Sequence, residues 1–437
     1  MTKVHRYLGL LLGLFLIVIA GTGSIIAFYD DLERLLNPRM RVVASQPQGW
    51  TVAQALAIRA QLEAEDPRAH VFSLQFPQKP DEPLFSRVEP TLDAAGQPAA
   101  IDYDEVFANP YTGERLGQRI IGAATLRPEG IPSFLYYLHY ALIFPLGIGI
   151  VLIGSLGLVW ALTAITGLYL SLPAKLKKRS GSVAGGSRAS GAPLPRPFLK
   201  RWSTSWKISR GAQANRLILD IHRASSLWLW PLLMIFAVTG FTLNLGGYYG
   251  RFVKSFAPYE HFQELPPRAP LASPLTSPPV SWERAAQLGQ RYFTEQAAAQ
   301  GFALGKPAAL EYRRDLGVYF FLMHTSRDLL DAQGNPTETD SPATAATMVI
   351  DARDGRMLGL QLPTGQRAGN TVTSWLVALH VTAIGGRAWQ IAVAAFGLAV
   401  VGISISGILL WWRRRKARMP RAHTRPVEER IVGGGAG

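Results

Sequence analysis

Long apolar stretches alternate with polar segments along the chain, and four of them are free of charge for long enough to cross a bilayer, which takes about 20 helical residues. They run over Tyr7–Tyr29, about Phe134–Leu172, about Ala224–Tyr249 and about Ala388–Trp412. The first is 23 residues long, whereas the apolar core of a signal peptide has about 7–15 residues, and no clear small-residue cleavage site follows. We therefore predict four membrane helices, the first of them a retained anchor.

The two polar segments that separate these stretches share landmarks in the same order. Each begins with a helix-like stretch opened by a tryptophan, continues with a strand-like run, and reaches a turn that ends in Leu-Gly. The glycine at the fifth position of each turn fits a hairpin that needs a positive φ, and a Leu-His pair follows in both. The first segment has WTVAQAL from Trp50, VFSLQF at Val71–Phe76 and NPYTGERLG at Asn109–Gly117; the second has WERAAQL from Trp282, GVYFFLMH at Gly317–His324 and DARDGRMLG at Asp351–Gly359.

These patterns predict a membrane α-helical fold, a four-transmembrane-helix bundle with two outward α+β domains. The shared landmarks predict a duplicated helix–domain–helix unit in parallel orientation. Stretches rich in Gly, Ser and Pro at Ser180–Pro197 and Leu265–Pro279 predict linkers. The predicted units are membrane helices at 1–29, 134–172, 222–249 and 375–412, outward domains at 30–133 and 250–374, a basic loop at 173–221 and a basic tail at 413–437.

Charge is distributed unevenly between these units. The 173–221 loop has eleven Lys and Arg against one acid, and the tail after Trp412 has eight against two. Asp30–Ser133 has ten basic and fifteen acidic residues, and Leu245–His380 has twelve of each. Cations in alternate loops place those loops in the cytoplasm, so both termini are predicted to be cytoplasmic. The net charge of +15 is thus an orientation signal or a lipid contact, and we expect no nucleic-acid partner.

Four of the eight histidines lie at matching depths of the predicted helices. His5 and His222 begin the first and third helices at the inner face, whereas His139 and His380 precede the second and fourth helices at the outer face. Histidines at helix ends can be interfacial residues, but ionisable groups at membrane depth are functional candidates. Two imidazoles at each of two levels match two bis-histidine haems. Zinc needs three or four protein ligands, and the chain has no cysteine and no carboxylate within the predicted helices to complete them.

Other residues near these histidines are weaker candidates. Gly9 and Gly13 follow His5 at i+4 and i+8, where they leave room for a macrocycle or for close helix packing. For Arg6 and Arg223 we consider two roles: a contact with haem propionates, or a positive-inside anchor. Aromatic and cationic residues flank the outer pair, and we consider two roles for them: binding a bulky anionic ligand or forming an interfacial belt. These residues are Tyr136, Tyr137, Tyr140, Trp375 and Arg387. His70, His261, His324 and His423 are expected to be ordinary surface or core residues.

The chain resembles the PepSY-associated transmembrane proteins. The resemblance is carried by HRYLGLLLGLFLIVIAGTGSIIAFYDDLERLLNP, by the hairpin PYTGERLG and by the closing ISGILLWWRRR, and it covers nearly the whole chain. The second hairpin, DARDG, departs from the fuller NPYTG form. The family comprises iron-regulated bacterial inner-membrane proteins, including siderophore reductases of the FoxB type and PiuB-like proteins. It implies PepSY-like periplasmic domains and two haem b groups, with His5, His222, His139 and His380 as the ligands.

The resemblance also implies the reduction of ferric siderophores on the periplasmic side. In this hypothesis an electron passes from the inner haem to the outer haem and reduces the ferric complex, whose iron is released for uptake. The 173–221 loop, with 49 residues, is too short for a flavin or nicotinamide domain, so the donor is membrane quinol or a separate reductase. The alternative is a non-catalytic membrane protein whose PepSY modules bind peptide or regulate a protease or signalling partner.

Overall fold

The computed structural model describes residues 2–125, 127–174, 197–260, 269–329 and 344–417. The predicted linker at Ser180–Pro197 lies outside the described residues except for Pro197, as do His261, residues 265–268 of the second linker, and the tail from 418 with His423. The helices are α1 (Thr2–Ile26), α2 (Tyr29–Leu36), α3 (Pro38–Arg41), α4 (Val52–Glu65), α5 (Ile131–Ala141), α6 (Leu146–Ser171), α7 (Phe198–Trp202), α8 (Ala214–Trp228), α9 (Trp230–Asn244), α10 (Gly246–Lys254), α11 (Trp282–Gln300), α12 (Ala368–His380) and α13 (Gly386–Lys416).

Three of these helices are long and apolar enough to cross a membrane within the described residues. They are α1, α6 and α13, whose lengths are 25, 26 and 31 residues. The pair α8 and α9 meets the same criteria only together, and its two helices are bent by 70°. The bend lies at Leu229, directly before Trp230 and Pro231. Because Pro231 has no N–H to donate, the hydrogen-bond ladder of α8 cannot continue through it.

The second predicted span, Phe134–Leu172, consists of two helices in the structure. Between α5 and α6 the chain turns at Leu142 and Ile143, whose φ values are 53° and 66°, and Pro145 precedes α6. The predicted span 375–412 divides in the same way, because α12 ends at His380 and α13 begins at Gly386 after a turn with Thr382 at φ 57°. In both places a short helix therefore leads into the long one.

The two polar segments join in one antiparallel sheet of eight strands. The strands are β1 (Ala69–Gln75), β2 (Leu84–Pro90), β3 (Glu105–Ala108), β4 (Arg115–Arg119), β5 (Leu304–Arg313), β6 (Val318–Thr325), β7 (Ala346–Asp351) and β8 (Met357–Gln361). Their order is β4-β3-β2-β1-β5-β6-β7-β8, so the first segment supplies one half of the sheet and the second supplies the other. The halves meet where β1 pairs with β5, with Leu74 opposite Leu310. The sequence predicts two separate domains; the structure differs because this pairing gives both segments one shared sheet.

The helices α4 and α11 close the core of this sheet. Leu56 and Leu62 of α4 and Leu288 and Phe293 of α11 are at most 5% exposed, and all four belong to one apolar cluster with residues of both halves of the sheet. Burial of such a side chain contributes roughly 1.5–3 kcal/mol. Each half of the sheet therefore stabilises the other.

The turns predicted from the glycine pattern connect β3 to β4 and β7 to β8. Gly113 and Gly355 occupy them with φ of 78° and 77°, which glycine adopts without the strain of a side chain. In each turn the N–H of the glycine donates to the carbonyl four residues earlier, that of Asn109 or Asp351, over 2.9 Å. The positive φ expected of both glycines is confirmed.

A buried ion network ties α2, just after the first span, to the sheet. The guanidinium of Arg119 lies 2.8 Å from the Glu33 carboxylate and 2.7 Å from the Glu105 carboxylate. Burial by itself raises the pKa of Glu33, but the hydrogen bond and charge of Arg119 and the amide of Asn37 outweigh it and hold that pKa below its usual value. The carboxylate therefore stays ionised, and the network fixes the sheet relative to the bundle.

Two glycines permit close helix crossings inside the bundle. A Cβ atom added to Gly397 on α13 would lie 2.8 Å from the Ala20 carbonyl oxygen on α1. A Cβ atom added to Gly157 on α6 would lie 2.8 Å from the Phe241 backbone nitrogen on α9. Both clashes involve backbone, so the helices themselves would have to move apart.

We expect Gly397→Ala to destabilise the bundle by about 1–3 kcal/mol, the usual cost of overpacking. The matched control is Gly402→Ala on the same helix, where a Cβ atom meets nothing within 4 Å and the gain in helix propensity is about 1 kcal/mol. Thermal unfolding in detergent should lower the midpoint of the first variant only. Equal midpoints for the two variants would show that α1 and α13 do not cross at Gly397.

Candidate functional site

The structure brings the four membrane histidines together as two pairs. The ring centroids of His5 and His222 are 6.5 Å apart, and those of His139 and His380 are 6.3 Å apart. These are the pairs expected from the depths of the residues along the sequence. We call His139 and His380 the sheet-side pair, because α5 and α12 descend from the sheet, and His5 and His222 the far-side pair.

The helix breaks place the sheet-side histidines. His139 lies in the last turn of α5, and His380 is the last residue of α12. Each short helix therefore has a histidine in its last turn, after which the chain turns into a long span. His5 and His222 lie instead in α1 and in α8, ahead of the bend at Leu229. On α1, His5 is 17 residues from Thr22, which contacts the sheet-side pair. This separation corresponds to about 25 Å of helix.

Each far-side ring hydrogen-bonds through Nδ1 to a neighbouring span. Nδ1 of His5 is 3.1 Å from the Thr163 carbonyl oxygen and 3.2 Å from Oγ1 of Thr166, both on α6. Nδ1 of His222 is 3.1 Å from the Ile403 carbonyl oxygen and 3.0 Å from Oγ of Ser406, both on α13. A carbonyl oxygen can only accept, so Nδ1 donates and carries the proton in both rings. The lone pair is then on Nε2.

The sheet-side rings are held in a related way. Nδ1 of His139 lies 2.8 Å from the Ile19 carbonyl oxygen and 3.3 Å from Oγ1 of Thr22. Nδ1 of His380 lies 2.6 Å from Oγ1 of Thr239. The Thr239 hydroxyl donates its own hydrogen to the Ile235 carbonyl over 2.8 Å, so it accepts from His380. In the described part of the chain, Nε2 of none of the four rings has a hydrogen-bond partner, and it remains available as a metal ligand.

Three glycines make room for the rings. Gly167, Gly407 and Gly23 each follow one of the hydroxyl residues, and a Cβ atom there would lie 3.0, 3.2 and 2.9 Å from Cε1 of His5, His222 and His139 respectively. Any side chain would push the imidazole away from its acceptor. These residues are not among those predicted from the sequence. Their signal is a Ser/Thr-Gly pair that recurs at Thr22-Gly23, Thr166-Gly167, Thr239-Gly240 and Ser406-Gly407.

The space between the two levels is filled by apolar side chains. The ring of Phe236 lies 4.9 Å from that of His380 and 4.9 Å from that of Phe396. Leu12, Leu156 and Val400 continue this core and are at most 7% exposed. No charged residue lies between Arg6 on α1 and Asp30 on α2. The histidine pairs thus bound an apolar interior of low dielectric.

The predicted arginines near the pairs are engaged with acids or only half-buried. Arg223 lies 3.1 Å from the Asp220 carboxylate, which is fully buried. Arg387 donates to both carboxylate oxygens of Asp31, one of them at 2.9 Å. Arg6 is half-buried beside His5. A propionate contact for Arg6 or Arg223 stays a prediction.

The aromatic candidates beside the sheet-side pair form a cluster. The ring of Tyr140 lies 5.0 Å from that of Tyr136 and 5.3 Å from that of Tyr137, and the ring of Tyr29 lies 5.8 Å from that of Tyr136. Trp375 on α12 is 49% exposed. This part of the surface is therefore rich in accessible rings next to His139 and His380.

The remaining candidates have ordinary local explanations. A Cβ atom on Gly13 would lie 3.7 Å from Ile408 of α13, and one on Gly9 would lie 3.7 Å from Thr163, so both positions fit helix packing. His70 pairs with Glu63 at 3.0 Å, and the buried His324 pairs with Asp328 at 2.8 Å. Neither histidine joins the pairs in the bundle.

The region that contains both histidine pairs matches a known protein family. The described residues contain no group of three or more His, Asp or Glu side chains arranged to hold a metal ion; each pair offers two imidazoles. A family model described as the PepSY-associated TM region matches residues 2–414, which include both pairs and the whole sheet. Curated proteins include no significant match to the chain.

Proposed function

The chain belongs to the PepSY-associated TM family of membrane proteins, and from this premise we propose that it is a di-haem b electron conduit that reduces ferric siderophores. The observation that carries the proposal is the pairing of four membrane histidines at two levels. The far-side pair would hold one haem b, and the sheet-side pair the other. Siderophore reductases of the FoxB type, which the chain resembles, supply the model for the reaction.

The spacing and chemistry of each pair fit a bis-histidine haem. A bond from a metal to an imidazole nitrogen is about 2 Å long, so one metal ion held between two imidazoles would need ring centroids about 6 Å apart. The observed separations are 6.5 and 6.3 Å. In both rings of each pair, Nδ1 donates its hydrogen to a carbonyl or hydroxyl oxygen, and Nε2 is unprotonated. Metal-binding histidines usually have this arrangement.

Haem iron supplies one-electron transfer between its ferric and ferrous states, and the chain supplies the path and its insulation. The apolar core around Phe236 and Phe396 excludes water between the two levels. Fixed rings reduce the rearrangement that accompanies each change of charge at the metal. The chain itself needs no general acid or base for this reaction.

The orientation of the conduit follows from the charges of the loops. The basic 173–221 loop and the tail lie in the cytoplasm of a bacterium in this proposal, and the sheet lies in the periplasm. Four spans cross the inner membrane, with α8 and α9 together forming the third. Electrons enter at the far-side pair from membrane quinol or a separate cytoplasmic reductase and leave at the sheet-side pair.

A duplicated ancestry explains the arrangement of the two halves. The sheet order is symmetric about the β1–β5 contact, and His5 and His222 each precede a Thr-Gly pair by 17 residues. Each level takes one histidine from each half. Each haem would thus be held between the halves, because neither half alone supplies two histidines at one level.

The ferric siderophore is proposed to dock beside the sheet-side pair. Tyr136, Tyr137, Tyr140 and Trp375 offer aromatic faces there, whereas the charge of Arg387 is already matched by Asp31. One electron converts the bound Fe(III) to Fe(II), which hard oxygen chelators hold more weakly, so the metal leaves and the siderophore remains intact.

Haem content tests the pairing. The purified protein should contain two haem b per chain in a pyridine-haemochrome assay. Either His5→Ala or His222→Ala should remove the far-side haem alone, because the remaining imidazole gives it a single axial ligand; His139→Ala and His380→Ala should remove the sheet-side haem. His70→Ala, which alters a histidine of the sheet, should keep both haems.

A colourless wild-type protein would favour the peptide-binding alternative. Depletion of the same haem by His5→Ala and by His139→Ala would refute the pairing.

Reporter fusions test the orientation. A reporter active only in the periplasm should be silent when inserted within Ser180–Pro197, since eleven cations against one acid hold that loop inside. The same reporter inserted near Asp93 should be active. The opposite pattern would reverse the direction of electron flow.

Single-turnover oxidation tests the substrate. Dithionite-reduced, desalted protein is mixed with ferric siderophores of the hydroxamate, catecholate and carboxylate types in the presence of an Fe(II) trap. We expect haem reoxidation matched by trapped Fe(II) for at least one type, because the sheet-side haem lies next to the proposed docking surface. Haem that stays reduced with all three types would exclude siderophore reduction.

A further inference from the structure

One of the four ring contacts differs from the other three. In three of them the imidazole N–H faces both a carbonyl and the hydroxyl three residues further on: Ile19 with Thr22, Thr163 with Thr166, and Ile403 with Ser406. In the fourth, His380 meets the Thr239 hydroxyl alone among the described residues. We infer that Thr239 is a positioning residue that holds His380 by itself and sets the reduction potential of the sheet-side haem. This inference rests on the haem sites proposed above.

The four contacts come from one repeated arrangement, so the difference between them is informative. Thr22 and Thr239 each follow the far-side histidine of their half by 17 residues, and Thr166 and Ser406 follow the sheet-side histidines by 27 and 26. Each hydroxyl binds a histidine of its own half. His139 and His380 are therefore equivalent positions that face each other across one level, yet their acceptors are unequal.

The geometry around Thr239 explains why no carbonyl accepts a hydrogen bond from His380 in the described part of the chain. The equivalent carbonyl is that of Phe236; among the described side-chain contacts it accepts from the Thr239 hydroxyl at 3.3 Å and not from the imidazole of His380. The Phe236 ring lies 4.9 Å from the His380 ring, tilted by 38°. A Cβ atom on Gly240 meets nothing within 4 Å, whereas the three other glycines face an imidazole. The His380 ring is thus displaced from the glycine and packs beside Phe236.

The hydrogen bond between His380 and Thr239 has good geometry. The distance from Nδ1 of His380 to Oγ1 of Thr239 is 2.6 Å, and Thr239 is fully buried. Its hydroxyl hydrogen is already committed to the Ile235 carbonyl at 2.8 Å, which leaves the oxygen lone pairs to accept. No water is needed to satisfy the imidazole N–H, and a dry core would supply none.

The loss of this acceptor has a defined effect on a bound haem. An acceptor on Nδ1–H raises electron density at Nε2 and stabilises ferric iron. Without the Thr239 hydroxyl the buried N–H loses its acceptor, Nε2 becomes a weaker donor, and the ferrous state is favoured. Without the Thr22 hydroxyl, His139 keeps the Ile19 carbonyl at 2.8 Å. Thr22→Val is therefore a matched control that changes the same level by the same chemical group.

The experiment is a potentiometric titration of the purified holoprotein, monitored through the absorbance of the two haems. Thr239→Val should raise the potential of one haem, with a roughly tenfold shift of its Fe(II)/Fe(III) ratio at a fixed applied potential, and leave the other unchanged. Thr239→Ser, which restores a hydroxyl, and Thr22→Val should both titrate like the wild type. Loss of one haem in Thr239→Val alone, with both haems kept in Thr239→Ser, would also support the assignment.

Two outcomes overturn the inference while leaving the proposed function intact. One is a Thr239→Val protein that retains two haems with unchanged potentials. The other is an equal shift or equal haem loss in Thr22→Val and Thr239→Val, which would show that the hydroxyls act alike. A wild-type protein without haem is a separate result, and it would remove the proposed function itself.

Discussion

The arrangement of this protein depends on the hydrogen bond that fixes each membrane imidazole. In an apolar bundle a ring N–H without an acceptor costs several kcal/mol, and a helix offers a free acceptor only where its carbonyl or a hydroxyl is exposed to the neighbouring helix. His5, His139 and His222 find a carbonyl together with a hydroxyl. Because a carbonyl can only accept, Nδ1 carries the proton in these three rings, and the lone pair is on Nε2. Each ring is thereby held against a neighbouring helix with its other nitrogen unprotonated.

The two halves of the chain are held in register at both ends of the bundle. In the sheet, β1 pairs with β5; in the bundle, Gly397 and Gly157 let α13 cross α1 and α6 cross α9. The turns after His139 and His380 connect these two layers, since each short helix that descends from the sheet ends where a long span begins. The shared sheet and the close helix crossings thus hold the partner rings at centroid distances of 6.5 and 6.3 Å.

The sequence predicts the apolar spans, the pairs of histidines and both hairpin turns, because each depends on residues close together in the chain or on depth in the membrane. The breaks at Leu142–Pro145 and at Leu229 are local too, and Pro145 and Pro231 signal them. The pairing of Leu74 with Leu310 is not local, and the pattern of either strand fits a separate domain equally well. The acceptor of each ring depends on which spans are in contact. The role of the Ser/Thr-Gly repeat is therefore visible only when the packing of the helices is known.

The charges near the two levels are unequal. Beside the far-side pair, Arg223 shares the buried Asp220 carboxylate with Arg216, whereas near the sheet-side pair Arg387 is matched by Asp31. A cation whose charge is neutralised by a close carboxylate contributes little net potential at a distance, whereas an unmatched one would favour the reduced state of a nearby metal. The hydrogen-bond partners of the ligands add a second difference, which does not depend on these charges. The unequal acceptors of His139 and His380 are such a difference, and they lie at the level from which the electron leaves in the proposed direction of flow.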